Sequence, residues 1–403
     1  MKQKILIVFL SVLFFNEQLA QKKNDKDISG TFLPISPNKT LTNLEGSEYR
    51  FTVLNSIETT PVKSQGMTGT CWSFSSLSFF ESELARMGKG KDYNLSEMYV
   101  ARMCYPIKAA NYIRMHGKAQ FGEGGEFHDA VHTLRNFGML PEEIYNGKLK
   151  SGEEYNHQLL DSTLSAMVKE IASKEKTEAD WKNKIEVVLD SFLGKVPQEF
   201  TYRGKKYTPS TYAKELGINP DDYLFISSFT HHPWYQQFVI EIPDNWMWEK
   251  AHNIPLNEFM ACIDNALMKG YGVGWAADVS EASFNFRNGL AILPETDISK
   301  ISNEEKKKYF LKPGKEKMVS QEERQAGFDS YETQDDHGMH IIGICKDQNG
   351  NKYYIVKNSW GSTNSCAGYF FASEAYLRSK TISIMVHRDA VPTEIINKLN
   401  INK

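Results

Sequence analysis

The chain has 403 residues, 41% of them apolar, 12% aromatic and 24% charged, with a formal net charge of −3. That length can bury a large core and supports two lobes or domains. The composition is globular, excluding a disordered or fibrous protein, and the slightly acidic balance argues against a general polyanion binder, nucleic acid included.

The N-terminus reads as an export signal. Lys2 and Lys4 precede the mostly apolar run Ile5 to Phe15, followed by polar Asn16-Glu17-Gln18 and then Leu19-Ala20. The run is too short to span a bilayer comfortably and no later stretch comes close. With residues 1–20 as a signal peptide, the mature chain is expected to be exported, periplasmic or secreted, without a membrane span. Residues 21–50 open with Lys22-Lys23-Asn24-Asp25-Lys26-Asp27 and read as a weakly ordered polar lead-in. Export permits disulfides, and five cysteines leave at least one thiol. Spacing alone does not pair Cys104, Cys262, Cys345 and Cys366.

Residues 51–150 read as a helical lobe. From Pro61 to Phe74 a polar, glycine-bearing loop carries Gln65, and six positions later Cys71 opens an amphipathic helix. Phe74, Leu77, Phe80 and Leu84 recur at helical spacing before Gly88 and Gly90. A cysteine in a first helical turn meets unpaired N–H groups and the positive dipole end, which favour the reactive thiolate. The plainer alternative is a buried structural cysteine. A second helix is expected over Met98 to Cys104, capped near Asn94 or Ser96. A third runs from Glu126 to Phe137, after Phe121-Gly122-Glu123-Gly124-Gly125.

Residues 151–253 change character. Positions 153–192 are charged and helical, with Leu159, Leu160, Leu164, Met167, Val168 and Ile171 on one face. The aromatic-rich stretch from Tyr202 to Trp248 reads as core or subunit contact. His231 and His232 do not read as a metal pair, because neighbours on a strand point to opposite faces. No metal or cofactor is expected.

Residues 254–403 read as a β-rich lobe. A helix over Phe259 to Met268 leads to a strand over Tyr271 to Val279, and a solvated charged excursion covers 299–325. Strands follow at Met339 to Ile344, Tyr353 to Lys357, Tyr369 to Ala372 and Ile382 to Val386. Asp347-Gln348-Asn349-Gly350 marks a hairpin between the first two.

A cysteine nucleophile needs a base, an orienting group for that base, and donors for an oxyanion. Asp336-His337-Gly338-Met339-His340 offers two histidines, which strand alternation places on opposite faces. Across the hairpin, Asn358-Ser359-Trp360-Gly361 brings an amide and an indole to the end of the paired strand. A hydrogen-bonded Asn would fix the imidazole tautomer without neutralising its charge, and Trp360 would shield that bond from water. On the residues alone, His337 and His340 both remain candidates.

Gln65…Gly69-Thr70-Cys71-Trp72, then Asp336-His337-Gly338-Met339, then Asn358-Ser359-Trp360-Gly361 resemble, in that order, the papain-type cysteine peptidases. The resemblance selects His337, six positions before Gly343, over His340. It implies an α+β, papain-like two-lobe fold, with a helical lobe and an antiparallel β lobe. The chain is similar in particular to bleomycin hydrolase and aminopeptidase C. Thr68 stands where papain carries a cysteine, and 266 positions (337 − 71) separate Cys71 from His337. Residues 151–253 are similar to that branch's large, mostly helical insertion. What the resemblance implies for the site is Cys71 as nucleophile, His337 as base and Asn358 as its orienting partner. Gln65 and the Cys71 N–H would hold the oxyanion, and Gly124, Gly125 and Trp72 would contact substrate. It further implies a resting thiolate–imidazolium pair, peptide substrates, no cofactor, and a homo-oligomer, a hexamer in those relatives. There a C-terminal arm brings a carboxylate to the substrate's free amine and makes an aminopeptidase. This sequence stops at Ile401-Asn402-Lys403, short of such an arm, so an endopeptidase with an open cleft is the alternative expectation. Two other classes stand beside it: a non-catalytic scaffold or nucleic-acid-binding homologue, and a transglutaminase-like acyltransferase, which would carry aspartate where Asn358 stands.

Overall fold

The helical part begins as the apolar spacing requires. In the computed structural model, which describes residues 35–150, 152–177 and 179–401, a helix runs Cys71–Arg86 and buries Phe74, Leu77, Phe80 and Leu84. The signal segment 1–20 lies outside the described residues. The next helix, Glu97–Arg114, starts on Ser96, whose hydroxyl accepts the Tyr99 N–H at 3.0 Å. It continues well past Cys104, carrying Pro106 inside it. Phe127–Asn136 is the third.

The charged stretch 153–192 is two helices, Gln158–Ser173 and Trp181–Leu193. Leu160, Leu164, Val168 and Ile171 face inward, whereas Leu159 is 66% exposed. One residue turns a helix by about 100°, which carries Leu159 off the inward line. Beyond a small hairpin, Phe200–Tyr202 with Lys205–Tyr207, the helix Pro209–Leu216 packs Tyr212 edge-on against Phe200 and Tyr207. These aromatics form core, as their composition suggested.

The segment 151–253 is a helical insertion only as far as Leu216. Tyr223–Ser227, Gln237–Val239 and Lys250–Asn253 instead extend the main sheet. That sheet runs, edge to edge, Gln237–Val239, Lys250–Asn253, Tyr223–Ser227, Thr381–His387, Val273–Ala277, His337–Lys346, Lys352–Lys357, Tyr369–Ser373, Leu290–Ala291, Phe284–Asn285. It is antiparallel except where Tyr223–Ser227 meets Lys250–Asn253 and Leu290–Ala291 meets Tyr369–Ser373. The central strand His337–Lys346 pairs with Val273–Ala277 on one side and with Lys352–Lys357 on the other. Its far half also pairs with Phe51–Ser56. The hairpin at 347–350 closes as its sequence indicates, the Asp347 carboxylate accepting the N–H groups of Asn349 (2.9 Å) and Asn351 (2.8 Å).

Two polar stretches are more ordered than their composition implied. From Ile35 on, the lead-in is packed: Ile35, Leu41 and Tyr49 are buried with Phe51, and Asn43 donates to the carbonyls of Asn288 (2.9 Å) and Phe310 (3.0 Å). A few buried side chains at roughly 1.5–3 kcal/mol each suffice to order so short a segment. Within 299–325, Ser302 and Ser320 cap the helices Asn303–Tyr309 and Gln321–Asp329 through reciprocal bonds with Glu305 and Glu323. Arg324, 1% exposed, donates to the carbonyls of Ser228 and Arg378. Cys71, Cys104, Cys262 and Cys345 are thiols, and the Cys366 sulphur donates to the Asn43 carbonyl. Among the described residues no helix is long and apolar enough to cross a membrane.

Candidate active site

The lobes meet where the Cys71 helix rests on the His337 strand. Gly338 makes the approach close: a Cβ there would lie 2.9 Å from Ser75 Oγ and 3.1 Å from Trp72 Cα. Cys71, Trp72, His337, Gln65, Gly124, Gly125 and Trp360 consequently line one cavity of about 440 Å³. Larger hollows open elsewhere on the β lobe, with neither cysteine nor histidine in their walls.

His337 Nε2 lies 2.7 Å from Asn358 Oδ1, and the Ser359 N–H donates to that same oxygen at 2.7 Å. An atom taking a backbone N–H must be the amide oxygen, so the ring donates through Nε2 and Nδ1 is left basic. The Trp360 indole covers the ring, centroids 4.5 Å apart, and Phe284 and Phe286 pack edge-on against the indole. His340 points to the other face, fully buried, with Nδ1 3.0 Å from Ser78 Oγ. The structure thus separates the two histidines as strand alternation requires.

Burial dominates the electrostatics. It pushes the Cys71 thiol up to about 12, although the N–H groups of Gly338 and Trp72 pull the other way, and the Asp335 and Asp244 charges add to the rise. The Trp72 N–H is the helix-start donor expected from sequence, but desolvation outweighs it. Burial likewise pulls His337 down to about 4, against the Asn358 hydrogen bond. Burial thus disfavours the charged form of each group, against the resting thiolate–imidazolium pair that the resemblance implied.

Gln65 is held at both ends. Its Nε2 donates to the Thr68 carbonyl (2.7 Å), and its Oε1 accepts from Ser359 Oγ (2.6 Å). One amide hydrogen remains, on a side chain that lines the cavity. The loop is anchored further where the Gln65 N–H donates to the Ser359 carbonyl (2.8 Å) and the Gly361 N–H to that of Lys63 (3.1 Å). Lys63 pairs with Glu81 of the Cys71 helix and with Glu97, both buried.

Trp72, expected to touch substrate, is only 2% exposed. Its indole N–H donates to the Glu123 carbonyl (3.0 Å) and its ring packs under Gly125, so it supports the glycine loop from below. Gly124 is also covered: a Cβ there would collide with the Asp244 carboxylate. Sequence reasoning missed three acids of the cavity wall, Glu126, Asp244 and Asp335. Asp335 lay in plain view two residues before His337, whereas Asp244 had no local signal. His231 and His232 sit in a turn, not a strand, with rings 4.5 Å apart, and both bond Glu241 (3.1 and 2.7 Å). The opposite-face reasoning therefore does not apply to them: His231, His232 and Glu241 bring three potential ligand atoms within 4.8 Å of one another.

Aminopeptidase W of Lactobacillus delbrueckii subsp. lactis is 22% identical over 388 residues, covering 85% of this chain and 84% of that protein. Aminopeptidase C of Lactococcus lactis subsp. lactis is 23% identical over 375 residues, covering 83% and 82%. The crystal structure of PepW from Lactobacillus rhamnosis superposes with a TM-score of 0.68 at 19% identity, covering 87% of this chain and 84% of that one, which establishes the papain-like fold. A model of the Peptidase C1-like family matches residues 109–403, a span that holds His337 and Asn358. By fold, by relatives along most of its length and by this match, the chain belongs to the Peptidase C1-like family.

Proposed function

We propose that this chain is a cysteine aminopeptidase, hydrolysing the first peptide bond of a substrate through Cys71, His337 and Asn358. The observation that carries the reading is that Cys71, at a helix start, and the Asn358-bonded His337 open onto one cavity. His337 takes the Cys71 proton as the sulphur attacks the carbonyl, and the spare Gln65 N–H with the Cys71 N–H receives the oxyanion. The imidazolium then protonates the leaving amine, and the neutral ring activates water to clear the thioester. Trp360 keeps water off the His337–Asn358 bond throughout. The similarity to proteins named aminopeptidase W and aminopeptidase C supports removal of single N-terminal residues over internal cleavage.

The test compares one peptide with a free or an acetylated N-terminus. Loss of cleavage on acetylation supports the aminopeptidase, and equal cleavage of both makes the chain an endopeptidase. Cys71→Ala should abolish cleavage and alkylation by an epoxide inhibitor, and full activity in that variant sinks the assignment. Export through residues 1–20 belongs to the same proposal and is read by N-terminal sequencing of the mature chain. Assembly as an oligomer, supported by family resemblance, is read by light scattering.

A further inference from the structure

One wall of the cavity carries more negative charge than catalysis uses. Glu126, Asp244 and Asp335 all line it, from the start of the third helix, the loop before Trp246, and the approach to the His337 strand. Their neighbours are committed elsewhere. Asp129 accepts from Trp246 Nε1 (2.7 Å) and the Glu126 N–H (3.1 Å), and Asp336 from the N–H groups of Val279 (2.8 Å) and Ser280 (3.2 Å). Asp278 accepts from the N–H groups of Ser280 and Gln334. Lys108, held by the carbonyls of Gly122 and Gly124, offsets part of the charge on Asp244 and Asp129.

Two features point to a cation as the missing partner. Glu126 is 5% exposed, yet its Oε1 meets no hydrogen-bond donor among the described residues. The Glu126 carboxyl otherwise accepts the Asp129 N–H and the Ser383 hydroxyl (3.4 Å) and lies against the Asp335 carboxyl, and two carboxyls in contact share a proton unless a cation lets both ionise. Separately, Asp244 lies against the bare Cα of Gly124, so the chain has a glycine where any side chain would displace that carboxylate. Asp335 and Asp244 are also the two charges that act on the Cys71 sulphur. Both carboxylates line the same cavity as Cys71, where the reacting carbonyl would lie.

We propose that Asp335 and Asp244, backed by Glu126, form a recognition site for a protonated amine of the substrate, its free α-ammonium group. The α-nitrogen and the carbonyl carbon of one residue are about 2.5 Å apart by covalent geometry, so an ammonium held here presents its own residue's carbonyl to Cys71. The site rests on the aminopeptidase reading and supplies its physical basis, a carboxylate wall that rewards a free N-terminus. A lysine side chain on the preceding residue offers the same chemistry from further away, and the experiment separates the two.

Asp335→Asn and Asp244→Asn, singly and together, are assayed on three fluorogenic substrates: an aminoacyl amide with a free amine, its N-acetyl form, and an N-acetyl-lysyl extension. In parallel, Cys71 is alkylated by iodoacetamide with leucinamide or N-acetyl-leucinamide as protector, a readout that needs no turnover. The expected result is a KM for the free amine raised about ten- to hundredfold per carboxylate, with kcat held within a few-fold. Leucinamide should protect the wild type and not the double variant. Unchanged KM with unchanged protection overturns the site while the peptidase stands. Selective loss on the lysyl substrate overturns the α-ammonium assignment. Protection by leucinamide without any peptide cleavage upholds the amine site and sinks the aminopeptidase.

Discussion

Replacing Asn358 by Ala tests how the base is oriented. The change removes the 2.7 Å acceptor of His337 Nε2 and leaves a buried N–H with nothing to donate to. A hydrogen bond of this kind is worth ~0.5–1.5 kcal/mol, and an unpaired buried donor costs ~1–3 kcal/mol. If the ring then turns or changes tautomer, Nδ1 is no longer held as the free basic nitrogen that the proposed mechanism needs. At 1.36 kcal/mol per factor of ten, kcat should fall about ten- to hundredfold. The Asn358 bond also raises the ring's affinity for a proton against burial, so the Ala variant has the weaker base. Asn358→Asp keeps an acceptor at the same place and should recover ring orientation while making the imidazolium easier to form. The assay is kcat and KM on a free-amine substrate, with the rate of Cys71 alkylation followed against pH. An Asn358→Ala enzyme that folds and turns over within twofold of wild type refutes the orienting role.

Three further outcomes follow from the same geometry. His337→Gln should abolish turnover, whereas His340→Gln, which disturbs the buried 3.0 Å contact with Ser78, should lower stability by about 1–3 kcal/mol and leave measurable activity; thermal melts and kinetics of both variants check this. Gly338→Val should lower both Tm and kcat, because its side chain meets Ser75 and the Trp72 backbone and pries the Cys71 helix off the strand; full activity at an unchanged Tm counts against that reading. Burial raises Asp335 to about 7, so KM for a free-amine substrate should rise as pH falls below that value and the carboxylate takes a proton. The stability effect runs the other way. A carboxyl whose folded pKa exceeds its unfolded value near 3.8 contributes stability that is complete below 3.8 and lost as pH rises through about 7. Asp335→Asn should therefore raise Tm more at pH 8 than at pH 4, and an equal shift at both rejects the assignment.

Local signals carried far along this chain. Helical spacing after Cys71, the alternation that parts His337 from His340, and the Asp347–Gly350 turn all appear in the structure because each is settled by residues a few positions apart. The charged runs misled for the same reason: Arg324 looks solvated by its neighbours Glu322 and Glu323, but its partners are the distant carbonyls of Ser228 and Arg378. Leu159 and Leu160 are indistinguishable by type, and only the helix's rotation against its neighbours selects which is buried. Strands Tyr223–Ser227 and Lys250–Asn253 were hidden inside an apparent insertion, since sheet membership depends on the remote strand Thr381–His387, which receives Tyr223–Ser227, on which Lys250–Asn253 then pairs.

By itself the sequence determined the candidates for the proposed site, a cysteine at a helix start and two histidines on opposite strand faces, because strand and helix periods place side chains without reference to the rest of the fold; the family resemblance, not the periods, selected His337. Only the tertiary structure decided their electrical state and their surroundings. Desolvation is a property of everything packed around a group, so the Cys71 thiol is held up by burial where its helix position alone favoured ionisation. The carboxylate wall arose in the same way, from Glu126, Asp244 and Asp335, three acids far apart in the chain that line one cavity.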